Sequence, residues 1–291
     1  MSLESAAALR VVDPGFGASI QDHGRVCWRR FGVPPGGCMD SHAADCANNL
    51  LENERSAPVL EILLGGFKCE MLRPAWIAVT GAIGDGGIPA WRAYHAAAGE
   101  QIHLRQHSAG VWIYLAIEGG FTAPAYFGSA SYYARGEMGL RIAAGTKLDQ
   151  RAGRRLNLPS GVAGRIAAWD DRRDYAHPPV LQVWRGPQWK SFSTADREQL
   201  LTAEWTVRPE SDRVGYRLNG PALKANQPEI ISEAVRIGSI QVPENGQPIV
   251  TMRDGPTVGG YPKVAVIDGD DLCWLAQCRP GKALKFRLAK P

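Results

Sequence analysis

Val111-Trp112-Ile113-Tyr114-Leu115-Ala116-Ile117 is the stretch whose reading decides the fold class. It is rich in β-branched and aromatic residues and stands between Gly110 and the turn-forming pair Gly119-Gly120, so it reads as a strand. Outward from it, the same pattern recurs at residues 59–64, 75–80, 180–184, 248–252, 263–267 and 283–288, each run bounded by Gly, Pro or Asp. The 33 glycines and 20 prolines supply the turns that many short strands need. Two segments break this pattern with helical spacing. In residues 40–53, Ala43, Ala44, Ala47, Leu50 and Leu51 recur behind a capping Asp40 or Ser41. In residues 193–203, Ser193 and Asp196 form an S-x-x-D variant of the capping box ahead of Leu200 and Leu201. Two helices among about a dozen strands make the chain mainly β.

Between residues 149 and 179 the strand pattern gives way to charge, first at 151–155 and then at Trp169-Asp170-Asp171-Arg172-Arg173-Asp174, closed by His177-Pro178-Pro179. Pro-Pro forbids a helix and favours an extended connector. A domain boundary is expected there, dividing the chain into residues 1–170 and 178–291. The halves share an echo: Val33-Pro34-Pro35-Gly36-Gly37 follows Asp22, Gly24 and Arg25, and Val242-Pro243-Glu244-Asn245-Gly246 follows Asp212, Gly215 and Arg217.

Composition removes several function classes. The 291 residues are 45% hydrophobic and 21% charged, enough for one large or two mid-sized cores. A net charge of +4, with basic residues scattered, gives no basic face for nucleic acid. No apolar run approaches the ~20 residues of a bilayer span, and residues 1–8 lack the basic and apolar regions of a secretory signal. The cytoplasm is therefore the expected compartment. Cysteines 27, 38, 46, 69, 273 and 278 form no C-x-x-C pair and no zinc framework, which predicts reduced, mostly buried thiols and no metal site. Neither a phosphate-binding G-x-x-x-x-G-K-[ST] nor a G-x-S-x-G elbow is present. The glycines at 81, 84, 86 and 87 read as a turn, and His103 and His107 flank a short alternating segment instead of sharing a helix face.

What remains are polar clusters set among apolar strands: residues 19–25, Met39-Asp40 leading to Asn48, residues 211–218, Ser232-Glu233 with residues 239–243, and Asp254 through Lys263. Arginine binds carboxylates with a planar two-point fork, and Gln or Asn can hold an amide or ureido group with one donor and one acceptor. A cleft lined in this way suits a small planar polar substrate. The paired glycines Gly259-Gly260 before Tyr261 let backbone approach a ligand closely. Lys263 can stabilise negative charge developing on a carbonyl oxygen. The chemistry therefore casts Asp254 as proton acceptor, with Lys263 and Tyr261 polarising a carbonyl. Arg213 and Arg217 are expected to anchor a carboxylate or support the cleft wall, and Gln241 and Asn48 to orient an amide or ureido group. Gln21 and Arg25 join them as expected substrate-binding residues. The same Asp22–Arg25 and Asp212–Arg217 groups also suit structural ion pairs that fix turns.

These residues resemble a known family: the C subunit of the bacterial ATP-dependent 5-oxoprolinase, formerly called allophanate hydrolase subunit 2 and described as biotin-dependent carboxyltransferase-like. The resemblance runs from about Leu9 to Leu288. It is carried by Ile20-Gln21-Asp22-His23-Gly24-Arg25, Gly32-Val33-Pro34, Gly37-Cys38-Met39-Asp40, Ala47-Asn48, Leu60-Glu61 and Thr80-Gly81-Ala82. In the second half it is carried by Ser211-Asp212-Arg213-Val214-Gly215-Tyr216-Arg217-Leu218, Gly238-Ser239-Ile240-Gln241-Val242-Pro243, Gly246-Gln247-Pro248 and residues 257–263. The resemblance implies two cyclophilin-like β-barrel domains, a B-subunit partner and an A-subunit partner, and ATP brought by those partners. Related fused enzymes carboxylate urea with biotin, although no M-K-M biotinyl motif occurs in this chain. One relative is instead a regulatory protein that binds and antagonises a kinase inhibitor, which is the alternative reading. The chain departs from the family at Gly128-Ser129-Ala130-Ser131-Tyr132, where G-S-R-S-T is usual. It departs again at a shortened Gly136-Glu137-Met138-Gly139, at Gly145-Thr146 in place of Gly-Asp, and at Leu51-Glu52-Asn53 in place of V-G-N.

Overall fold

The structure, a computed structural model, describes residues 6–82, 84, 88–105, 108–152, 156–159, 162–227 and 229–290. Gly86, Gly87, His107, Arg154 and Arg155 lie outside the described residues. The chain divides into two compact units, Met1–Arg25 with Gly36–Ala176, and Val26–Pro35 with His177–Pro291. The sequence alone assigns Val26–Pro35 to the first half, whereas its contacts group it with the second.

Among the described residues, the first unit is built on ten strands. They are β1 (Ala6–Asp13), β2 (Ala18–Gln21), β3 (Val59–Leu63), β4 (Phe67–Met71) and β5 (Ala75–Gly81), then β6 (Arg92–Ala96), β7 (Gln101–Leu104), β8 (Trp112–Ile117), β9 (Phe121–Thr122) and β10 (Lys147–Gln150). They form two five-stranded sheets, ordered β7-β4-β1-β10-β9 and β2-β3-β8-β5-β6, with every pairing antiparallel. Consecutive strands change sheet six times, at β1 to β2, β3 to β4, β4 to β5, β6 to β7, β7 to β8 and β8 to β9. Strands that switch sheets at sharp bends give a barrel-like closure. The β8–β9 corner is Gly119-Gly120, both at positive φ, and a Cβ on Gly119 would stand 3.0 Å from the Arg151 carbonyl. Glycine is required there.

All six residues of β8 are buried. Helix α1 (Ser41–Leu50) lies against β5, β6 and β8, burying Ala43, Ala44, Ala47 and Leu50. Asp40 is its cap, accepting from the Ala43 N–H at 3.0 Å. The helix ends before Glu52, which sits in the left-handed region at φ 56°. This is the position where the resemblance expects glycine, so a glutamate there carries a strain of about 1 kcal/mol.

The described residues of the second unit also form ten strands. They are β11 (Leu181–Arg185), β12 (Trp205–Val207), β13 (Gly215–Asn219), β14 (Glu233–Ala234) and β15 (Ser239–Gln241), then β16 (Ile249–Thr251), β17 (Val258–Gly259), β18 (Lys263–Ile267), β19 (Ala283–Leu284) and β20 (Phe286–Leu288). Eight of them form one sheet, ordered β19-β12-β13-β16-β15-β18-β11-β20. Its two edges are consecutive in the chain, split only at Lys285, so the sheet is a nearly closed barrel. The sequence reads residues 283–288 as one strand; the structure makes it the seam between two. Strands β14 and β17 pair with each other outside the barrel sheet.

Helix α2 (Thr194–Thr202) has the expected Ser193 cap, which accepts from the Asp196 N–H at 3.1 Å. A third helix, α3 (Gly269–Ala276), corrects the expectation of two. Its eight residues, capped by Asp268, hold an apolar run of only five after Asp270 and Asp271, and shortness hid its period. Both units are mainly β, with three helices among the described residues. No helix among them is long and apolar enough to cross a membrane.

Candidate functional site

In the second unit, strand pairing gathers polar side chains that the sequence holds far apart. Gln241 on β15 is the register partner of Lys263 on β18, next to an irregularity in the ladder. Both side chains are buried, Lys263 to 1% exposure. The Gln241 amide donates to Thr251 Oγ1 at 2.9 Å. A Cβ on Gly259 would stand 3.2 Å from Gln241 Oε1, so glycine at 259 keeps that acceptor open to a small ligand. The Lys263 ammonium lies 2.7 Å from Glu233 Oε1, as a buried cation requires. Gln188 ties the pair together: its amide donates to Glu233 at 2.8 Å, and its Oε1 accepts from the Lys263 N–H at 3.0 Å. Hydrogen bonds from Lys263 and then Gln188 hold the Glu233 carboxyl below its ordinary range. Gln188 and Thr251 had no place among the sequence candidates, and Glu233 stood in a polar cluster without an assigned role. Only the strand ladder brings Gln188 and Lys263, 75 positions apart, into one cluster.

The other second-unit candidates lie at different depths. Arg213 grips Asp254 with two bonds, Nε to Oδ2 at 2.8 Å and Nη2 to Oδ1 at 3.1 Å. Their backbones are joined too, the Asp254 N–H donating to the Arg213 carbonyl at 2.8 Å. Asp212 caps its own turn, accepting from the N–H groups of Val214 and Gly215. Arg217 alternates outward on β13 and is exposed. Tyr261 is 41% exposed.

In the first unit the expected binding residues are bonded into the framework. Gln21 donates to Ser19 Oγ at 3.0 Å and to the Tyr132 carbonyl at 3.1 Å. The Arg25 guanidinium is buried and donates to the Ser131 carbonyl. Asn48 donates to the Ala57 carbonyl at 2.9 Å and accepts from Asn53 at 3.0 Å. Between them lies Asp22, which sequence reading left in a supporting role. Its Oδ1 accepts from Ser129 and Ser131 hydroxyls at 2.6 Å and from the Gly24 N–H at 2.7 Å, and its Oδ2 accepts from the Ala130 N–H at 2.7 Å. Asp22 and Ala130 line a cleft of about 350 Å³. The departure at Gly128–Tyr132 thus falls on a cleft wall. Among the described residues, no three His, Cys, Asp or Glu side chains gather to hold a metal ion.

The carboxyltransferase domain, subdomain A and B, matches residues 31–288. The chain belongs to the carboxyltransferase-domain family. Within that family it is 34% identical over 286 residues to the C subunit of 5-oxoprolinase from Haemophilus influenzae, covering 95% of this chain and 89% of that one. It is 29% identical over 310 residues to the urea amidolyase of Lachancea kluyveri, covering 96% of this chain but 17% of the enzyme. Among solved structures, TTHA0988 superposes with a TM-score of 0.87 at 31% identity. That match covers 99% of this chain and 56% of TTHA0988, so the carboxyltransferase-domain chain spans about half of it.

Proposed function

We propose that this chain is the C subunit of an ATP-dependent 5-oxoprolinase-type complex in the cytoplasm. It acts with B-subunit and A-subunit partners on a small cyclic amide and does not turn over alone. The observation that carries this reading is the buried Lys263–Gln241 pair, a cation and an amide side by side in one barrel. Opening a lactam puts negative charge on its carbonyl oxygen, and a fixed ammonium aimed at that oxygen lowers the barrier. Lys263 supplies that charge, and Tyr261 at the rim assists it. Gln241 Oε1, reachable beside Gly259, accepts the ring N–H. Asp254 takes a proton, with Arg213 holding its carboxylate in place. Arg217, which remains exposed, anchors the substrate carboxylate. Gln21, Arg25 and Asn48 contribute by shaping the first unit. ATP reaches the reaction through the partner subunits. The 34% identity to a 5-oxoprolinase C subunit over nearly the whole of both chains supports this reading.

The match to urea amidolyase favours a second reading, carboxyl transfer to a ureido group. The Gln241 amide beside Gly259 fits a ureido N–H as well as a lactam N–H, so biotin's ring suits the same residues. When bound, biotin would supply the carboxyl group. The test is reconstitution with the partner subunits and measurement of ATP-dependent 5-oxoproline consumption. Lys263→Met should lower turnover roughly 10²–10³-fold in an intact complex. Turnover within twofold of wild type would remove Lys263 from the mechanism, and urea-dependent activity with no 5-oxoproline consumption would favour the second reading.

A further inference from the structure

We propose that the cleft of the first unit is a binding site for a free α-amino acid in its zwitterionic form. This site goes beyond the lactam chemistry assigned to the second unit. The cleft holds about 350 Å³, within the usual range for small-molecule pockets. Its walls carry both signs of charge: Asp22 and Glu54 are acidic, and Arg151 is basic. A fourth polar group on the lining, His23, is held by Asp45 at 2.8 Å. The apolar part is contributed by Pro58, Phe121 and Ala130, all buried.

The charges are fixed in different ways, and that sets the ligand. Asp22 is 9% exposed and is immobilised by its donors. Three donors crowd Oδ1 while one reaches Oδ2. A carboxylate offers about four lone-pair positions, so acceptor capacity is left on Oδ2 for a ligand donor. Glu54 is exposed, and its backbone carbonyl is fixed by the Ala57 N–H at 2.9 Å. Two acidic groups of this kind select an ammonium. The Arg151 backbone is pinned to the Gly119-Gly120 corner, its N–H donating to the Gly120 carbonyl at 2.9 Å, while its side chain is exposed. A guanidinium fork of this kind matches a carboxylate. An α-amino acid presents both charges from one carbon, and its side chain can lie along Ala123 and Ala125, the more accessible apolar residues of the lining. A lactam acid such as 5-oxoproline has the carboxylate without the ammonium, so this site discriminates against it. In the proposed reaction the ring-opened product gains an ammonium and becomes such a ligand.

Titration calorimetry on the purified chain tests the idea, using L-glutamate, L-proline and 5-oxoproline as probes. At least one of the two amino acids is expected to bind, and that binding should weaken at least tenfold in both Ala130→Arg, which fills the cleft, and Arg151→Met. 5-Oxoproline, should it bind in the second unit, is expected to be unaffected by either variant. Such binding keeps a failure here distinct from a failure of the proposed reaction. Ala130→Arg fills a tight wall, so the exposed Arg151→Met decides the matter if the first variant does not fold. The proposal is overturned if neither amino acid binds, or if a folded variant binds as tightly as wild type. It is also overturned if 5-oxoproline competes equally for the amino-acid site.

Discussion

Asp22→Asn removes one charge and changes no volume, which makes it a sharp probe of the first unit. The carboxylate accepts four bonds of 2.6–2.7 Å, three on Oδ1 and one on Oδ2. An asparagine has one oxygen and one NH₂ to meet them. With the oxygen toward Ser129, Ser131 and Gly24, the NH₂ faces the Ala130 N–H. With the amide flipped, the serine hydroxyls can turn to accept, but the Gly24 N–H then faces the NH₂. One backbone donor is stranded in either rotamer, at about 1–3 kcal/mol. The surviving bonds also lose charge assistance, each falling from about 1.5–3 to about 1 kcal/mol. These terms run from about 2.5 kcal/mol upward, and the lower desolvation cost of a neutral amide offsets part of them, leaving a net loss of about 3 kcal/mol. At ~2–4 °C per kcal/mol for a unit of this size, the melting temperature of the first unit should fall by roughly 6–12 °C. Thermal unfolding followed by near-UV circular dichroism reads the shift, and hydrogen exchange should show faster exchange at Ala130 or Gly24. A shift under about 2 °C with both amides still protected would refute the reasoning.

Glu233 gives a pH prediction. Its folded carboxyl titrates below the ordinary value of 4.5, because Lys263 and Gln188 donate to it. The unfolded chain therefore binds its proton first as pH falls. The stabilisation is present above about pH 4.5 and is lost as pH drops through the lower folded value. Glu233→Gln should flatten the acid limb of a stability-versus-pH curve below about pH 4.5; an unchanged limb would show that the Lys263 pair is not maintained in solution. Thiol labelling gives another. Burial pushes the Cys46, Cys69 and Cys278 thiols up to about 12, and Cys38 and Cys273 are buried, while Cys27 is exposed. A disulfide reagent at about pH 8 should modify one thiol in the native chain and all six only after denaturation; rapid native labelling of several thiols would contradict this burial.

How far the sequence could be read depended on the range of the forces involved. Residues 263–267 and the Asp40 and Ser193 caps were legible because a strand's composition and a helix's first turn are settled within a few residues. The short α3 was not, since eight residues, only the last five of them apolar, carry too little periodicity. Ser-Ile-Gln recurs at 19–21 and 239–241, a repeat the sequence reading did not draw, and both stretches are strands that bury their glutamine. The V-P-x-x-G echo was weaker evidence: Gly246 closes a turn onto the Pro243 carbonyl at 2.9 Å, while Gly37 lies against the Asp22 backbone.

Local chemistry, read in order along the chain, determined that this protein is a turn-rich β protein and which residue types were available for amide chemistry. Tertiary structure decided what those side chains do. Strand pairing set Lys263 beside Gln241 and aimed it at Glu233, which the sequence had left unassigned. It joined Asp254 to Arg213 and gave Gln21, Arg25 and Asn48 backbone carbonyls as partners. The reason is physical: a hydrogen bond acts over about 3 Å, and only the closed sheets bring groups tens of residues apart to that distance.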